Sequence, residues 1–398
     1  EIVWFYPASM TQNRFNKFKA EWENTFATLF GAPISNIIAA SESVAPYYYH
    51  KAKKGATSTV VSVDIGGGTT DVLIVDKGEP KYLTSFRFAA NTIFGDGYSY
   101  DSDSNGFVNK YKDIITNQLE TNNLRGLKAV LKSVLDKRVS TDVIAFLFSL
   151  ASNKEIKKEK VEINFAKMLA DDNRGKYVVI LFYVAIVYHI AKLMKAKGFD
   201  MPRHMTFSGN GSKVLNILST NDATLVRLTK IIFEEIYAQS YSIDGLDIIR
   251  PANSKESTCK GGIILTPFQS QDYGEIKDMK TILIGTDNEK FVDVHMTYND
   301  VTEADLDSVV DVIKEYIEFT FKLDKKFSFY DNFDVDRSIM NKVKDLCYRD
   351  IRTYLENGLA IKKSEIAQDG ADDNLEETLF FYPLVGIINA VVRNIYQM

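Results

Sequence analysis

Val60-Val61-Ser62-Val63-Asp64-Ile65-Gly66-Gly67-Gly68-Thr69-Thr70-Asp71-Val72-Leu73-Ile74-Val75 is the stretch on which the reading of this chain turns. Val60 to Val63 and Val72 to Val75 are short, β-branched and apolar, the pattern of strands buried on both faces. Three glycines between them make a hairpin tip without side chains, where backbone N–H groups can approach an anion closely. Thr69 and Thr70 add hydroxyl donors. Asp64 closes the first strand and Asp71 opens the second. A carboxylate beside a phosphate-binding loop repels the phosphate unless a metal ion or a polarised water lies between them. Asp64 is therefore a candidate for holding hydrated Mg²⁺ or for orienting an attacking water. The bland alternative is a tight glycine hairpin with Asp as a turn former.

The string is not a G-x-G-x-x-G fingerprint, because no helix follows, and not a Walker loop, because no G-K-[ST] follows. As a whole, D-x-G-G-G-T-x-D between two apolar strands resembles the second phosphate loop of the actin, sugar-kinase and heat-shock chaperone ATPase superfamily. The resemblance implies an α/β fold of the actin-like kind (ribonuclease H-like, βββαβα). It implies ATP and Mg²⁺ as cofactors, with Gly66, Gly67, Gly68, Thr69 and Thr70 at the β- and γ-phosphates. Asp64 would hold the metal through water, and Thr69 would stand with Asp64 and Glu42 among the catalytic groups.

Further segments follow in the family's order. Ile37-Ile38-Ala39-Ala40-Ser41-Glu42-Ser43-Val44-Ala45-Pro46 resembles the first connecting segment, whose glutamate points at the nucleotide's metal and water. Read without the resemblance, Glu42 is a first-turn helix carboxylate. Gly95-Asp96-Gly97 stands where the family has a glycine pair and an acid near the β-phosphate; a plain D-G turn is the alternative. Gly209-Asn210-Gly211-Ser212-Lys213 resembles the adenosine motif: glycine backbone against the purine, Ser212 as helix cap, Lys213 over the base or on a phosphate. Lys255 to Ile263 resembles the second connecting segment, and Cys259 within it reads as a small core residue. No first phosphate loop, D-x-G-[ST]-x-x-[ST], precedes residue 42. The expectation is a longer natural N-terminal portion or a degenerate member, and weak or absent hydrolysis by this chain alone.

The pattern divides the chain into a first-lobe remnant (1–56), a nucleotide-binding core (57–98 with 200–266), a helical insertion (99–199) and an accessory, mainly helical region (267–398). Residues 1–55 read as strand, helix, strand, helix, with a Ser9-x-x-Gln12 capping box, an aromatic face from Phe15 to Leu29 and Gly31 as the stop. Leu127, Val130, Leu131, Val134 and Leu135 form one helical stripe, and Lys154 to Lys160 a solvated face. Tyr177 to Ala191 is apolar all round but short for a bilayer, which favours a buried helix and no membrane span. Past Pro267 the expected elements are a hairpin around Asp287-Asn288, a helix at 301–321 with the box Thr302-x-x-Asp305, helices near 336–359 and 376–397, and an acidic loop at 368–374. Phe380-Phe381-Tyr382 reads as core packing or as an interface.

The chain has 398 residues, 45% hydrophobic and 25% charged, with a net charge of −5, which gives no global case for nucleic-acid binding. Cys259 and Cys347 form no C-x-x-C pair, and His50, His189, His204 and His295 form no ligand pattern. A reducing, cytoplasmic setting is expected. The leading function is an ATP-binding module whose lobe closure is coupled to a protein partner or to self-assembly. The alternatives are a non-catalytic assembly protein and a small-molecule kinase.

Overall fold

A computed structural model describes residues 2–7, 12–31, 33–54, 59–99, 102–242, 245–251, 254–264, 284, 296–369 and 374–396. The expected Ser9 cap, the hairpin around Asp287-Asn288 and residues 370–373 of the acidic loop lie outside the described residues.

Strands β1 (Ile2–Tyr6) and β2 (Ile37–Ser41) pair in parallel, Trp4 opposite Ala39. Helix α1 (Gln12–Phe30) joins them, and its aromatic face covers β1: the Phe15 ring lies 4.5 Å from Tyr6, and Trp22 stacks 5.9 Å from Trp4. Gly31, at φ 57°, ends the helix as expected. Helix α2 (Ala45–Lys54) then leads to the central sheet.

Strands β3 (Val60–Ile65), β4 (Thr70–Asp76) and β5 (Glu79–Phe86) form an antiparallel meander. Lys77 and Gly78, both at positive φ, make the two-residue turn that suits the twist of β4 and β5. After α3 (Ala90–Phe94) come α4 (Gly106–Thr121), α5 (Arg125–Asp136), α6 (Ser140–Ser149), α7 (Lys154–Lys158), α8 (Phe165–Ala170) and α9 (Lys176–Ala196). Strand β6 (His204–Ser208) returns parallel to β3. Helices α10 (Leu215–Leu218) and α11 (Asp222–Tyr237) lead to β7 (Asp247–Ile249), parallel to β6. The sheet order is β5-β4-β3-β6-β7. A meander extended by two parallel strands reached through helices is the ribonuclease H-like arrangement, so the expected α/β class holds. Helix α12 (Ser254–Ile264) crosses back to pack on α2, with Gly261 against the Ala45 carbonyl.

Helix α9 is long and apolar enough to cross a bilayer, and 94% of its most apolar stretch is buried inside the protein. Its apolar circumference is used by the sheet on one side and helices on the others, as the sequence reading favoured.

The C-terminal helices are α13 (Glu303–Phe327), α14 (Phe329–Phe333), α15 (Met340–Cys347), α16 (Ile351–Asp369) and α17 (Phe381–Ile395). The Thr302/Asp305 capping box is present. They share one continuous core with the sheet, and Glu377 ties them to the end of β5 by accepting the Arg87 backbone N–H at 2.7 Å.

Several expectations are corrected. The helix expected at 336–359 is two, because Asp350 takes a left-handed φ of 55° between α15 and α16. The helix expected at 301–321 runs on to Phe327 and the last begins at Phe381. Phe380, Phe381 and Tyr382 are buried: Phe381 stacks on Phe86 with ring centroids 4.0 Å apart. Val130 is exposed, because the inward arc of α5 is narrower than the expected stripe. Cys259 is exposed on α12, whose small residues Gly261 and Gly262 take the close contacts instead.

Candidate nucleotide site

The tip between β3 and β4 is closed by the Gly66 N–H donating to the Thr69 carbonyl at 2.9 Å. Gly67 and Gly68 stand exposed beyond it. None of the three glycines has positive φ. A Cβ on Gly68 would meet nothing within 4 Å, and one on Gly67 only the Asn91 amide at 3.7 Å. The carbonyls of Gly66 and Gly67 accept from the Ala90 and Asn91 N–H groups at 3.3 and 2.8 Å. The loop is thus held from behind by the start of α3, while its tip stays bare.

The second glycine turn follows β6. Because β6 pairs with β3, Asp64 opposite Ser208, the turn is carried to the first loop. A Cβ on Gly211 would fall closer than 3.0 Å to the Gly66 carbonyl, and one on Gly209 would strike the Ile65 carbonyl and the Asp64 carboxylate. Gly209 also has φ 81°. Ser212 is not a helix cap: it lies inside the 3-10 turn Asn210–Val214 and donates its hydroxyl to the Gly209 carbonyl at 2.8 Å. Lys213 is exposed and has no ion pair among the described residues.

Three carboxylates gather at the strand ends. Asp64 accepts the Ser208 hydroxyl at 2.9 Å. Burial pushes Asp64 up to about 6, with Asp71 adding to the rise and Ser208 opposing it. Glu42 stands just past β2, its backbone N–H on the Tyr6 carbonyl at 3.0 Å. Burial, then Asp71 and Asp64, push its carboxyl up to about 7. Asp71 itself is buried. Among the described residues no three acidic, histidine or cysteine side chains form a direct ligand set for a metal. The acid cluster fits a hydrated cation better than a directly bound one.

Other expected residues are placed differently. Thr70 is fully buried and donates its hydroxyl to the Phe88 carbonyl at 2.6 Å, whereas Thr69 remains partly accessible in the loop. Gly95 and Asp96 lie at the far end of α3 from the loop. The Gly95 carbonyl accepts the Asn105 amide at 2.6 Å, and the Asp96 carboxylate accepts both the backbone N–H and the hydroxyl of Ser140. The α3 residue at the loop is Asn91, which the sequence reading passed over; its position directly after the β5 connection was the available signal.

A cavity of about 700 Å³ lies beside both turns. Gly67, Asn91, Asn210, Gly211 and Lys213 form one wall, and Ile144 and Phe148 of the helical insertion form an apolar wall facing them. The insertion's share was not legible from sequence, since it arises only when α6 packs against α3 and α8. A second cavity of about 680 Å³, around Arg174 and Asp336, includes no residue of either turn.

Sheet order and motif placement together decide the class. The fold is ribonuclease H-like, with the two glycine turns at the ends of the paired strands β3 and β6. No family model and no curated protein matches the chain. Among solved structures, this chain is similar to MreB5 of Spiroplasma citri bound to ADP, at 13% identity and a TM-score of 0.27, covering 68% of this chain and 70% of that one. It is also similar to the ethanolamine utilization protein EutJ from Carboxydothermus hydrogenoformans, at 12% identity and a TM-score of 0.29, covering 66% of this chain and 64% of that one. Both likenesses concern fold alone.

Proposed function

We propose that this chain is the ATP-binding module of an actin-like ATPase. The observation that carries the reading is the meeting of two glycine turns, Gly66–Gly68 and Gly209–Gly211, beside one cavity whose far wall is apolar. Gly67, Gly68 and Thr69 offer backbone N–H groups, and Thr69 a hydroxyl, to the β- and γ-phosphates. Gly209, Asn210, Gly211, Ser212 and Lys213 flank the adenosine side, with Ile144 and Phe148 opposite. Asp64 would hold Mg²⁺ through water or orient the attacking water, and Glu42 would help position that water. Bound Mg²⁺ would supply charge neutralisation for the phosphates. Thr70 and Asp96 support the site from behind rather than touching the nucleotide.

In this reading residues 1–56 belong to a first lobe, 57–98 with 200–266 form the nucleotide core, 99–199 form the second lobe's insertion and 267–398 are accessory. Lobe closure would couple nucleotide state to a protein partner or to self-assembly, in the cytoplasm. A second reading is a non-catalytic assembly protein that binds nucleotide without hydrolysing it.

The test is thermal unfolding with Mg-ATP, Mg-GTP and Mg²⁺ alone, beside phosphate release. A ligand at 100 times its dissociation constant stabilises by about 2.7 kcal/mol, a shift of a few degrees at this size. Stabilisation by Mg-ATP that Asp64→Ala weakens supports nucleotide binding. Phosphate release above background selects the ATPase, and binding without release selects the assembly protein. No stabilisation by any nucleotide contradicts both.

A further inference from the structure

The helical insertion carries a charge that the rest of the chain lacks. Between Arg125 and Lys167 stand ten lysines and arginines and five acids, a net of +5 in a chain whose total is −5, which leaves −10 on the remainder. Nine of the ten cations are exposed. Only Lys128, with Glu120, and Lys167, with Glu162, form ion pairs among the described residues. A soluble surface normally balances the two signs, so a short segment with ten cations to five acids calls for a partner.

The densest part is α5 and the turn after it. At 3.6 residues per turn, Arg125, Ala129, Lys132 and Asp136 share the outward stripe of α5, with Lys128 on its flank. Leu127 and Leu131 point inward and are buried. Lys137, Arg138 and Val139 continue past the helix end. Val130 and Val139, 47% and 42% exposed, sit between these cations rather than in the core.

We propose that α5 and the 137–139 turn form a docking face for an anionic lipid surface. The cations of this face, five against the one acid Asp136, supply the attraction, about 1 kcal/mol for each net positive charge near such a surface. The two exposed valines can enter the apolar edge of the headgroup layer. Residues 125–139 contain no aromatic ring, so the stacking platform that single-stranded nucleic acid uses is lacking. The net of −10 on the remainder favours an insertion-first approach. This docking face stands whether or not the glycine turns hold nucleotide.

The test is co-sedimentation of the full chain with vesicles of phosphatidylcholine alone or mixed with phosphatidylglycerol. The chain is expected to pellet only with the mixed vesicles and to be released by high salt. Reversing Lys132, Lys137 and Arg138 together to Glu, all exposed and without ion pairs, should weaken the partition at least ~100-fold. Reversing exposed Lys322, Lys342 and Lys363 to Glu changes net charge equally and should leave most of the binding in place. Failure to pellet with anionic vesicles overturns the proposal. Equal loss in both variants overturns it too, because net charge and not this face would then act. Capture of duplex DNA through the same three residues without vesicle binding would make the face a nucleic-acid surface instead.

Discussion

Residues 66–68 and residues 209–211 are both glycine turns, and glycine is required in them for opposite reasons. At 209 and 211 the protein itself forbids a side chain: each Cβ would strike the backbone of the first loop, and Gly209 is left-handed besides. At 67 and 68 nothing in the chain forbids one, because φ is ordinary and the space is open or nearly so. A glycine that packing demands is explained by the fold. A glycine in open space is not explained by packing, and at 67 and 68 the proposed nucleotide would supply the reason. In the proposed reading the second kind serves the phosphates, while the first brings the two turns together.

Substitutions can break that contrast, beginning with the largest effect. Gly211→Ala should destabilise by about 3 kcal/mol or more, or prevent folding, since its nearest obstacle is backbone that cannot rotate away; urea unfolding measures this. Gly67→Val and Gly68→Ala should leave stability within about 1 kcal/mol of the parent while reducing Mg-ATP affinity at least ~100-fold. If Gly68→Ala unfolds the protein, or binds ATP as before, the contrast is lost.

The acids between the turns sharpen it through pH. Asp64 and Glu42 have folded values near 6 and 7, above their ordinary ones, so the folded chain holds these protons more tightly than the unfolded chain does. The stability they lend is complete below about pH 4 and is lost as pH rises through about 6 to 7. Without ligand, Asp64→Asn should therefore stabilise by about 2 kcal/mol at about pH 8 and have little effect at about pH 4, as read by chemical denaturation. Bound Mg²⁺ favours the ionised acids. Mg-ATP binding near pH 6.5 should then release protons, seen as a buffer-dependent calorimetric enthalpy, and affinity should rise toward pH 7.5. The smallest effect separates the two threonines. Thr70→Val should cost about 1 kcal/mol of stability, through the lost bond to the Phe88 carbonyl, with affinity unchanged. Thr69→Val should lower affinity and leave stability alone.

The parts legible in the sequence were those set by local pattern. Two apolar β-branched runs around Gly66–Gly68 could only be a hairpin, and an all-round apolar stretch from Tyr177 needed a place inside. The placement of 209–213 was read through the resemblance, and strand pairing of β6 with β3 delivers it physically. What was not legible depends on contacts between distant segments. Asp96 reads as a loop acid until Ser140 at the start of α6 meets it, and Thr70 reads as a phosphate donor until the Phe88 carbonyl takes its hydroxyl. Asn91 gained its place from α3 gripping the loop, and Phe148 its place from α6 packing, neither of which has a periodicity to announce it.

The central claim, that the bare loop at 66–68 holds the phosphates of a magnesium-bound nucleotide, is tested most directly by calorimetric titration of Mg-ATP into the full chain and into Gly67→Val, with circular dichroism confirming that both are folded. The account predicts saturable binding by the parent and at least ~100-fold weaker binding by a variant that remains folded. Equal binding by the two folded proteins would contradict it, as would a parent chain that binds no nucleotide.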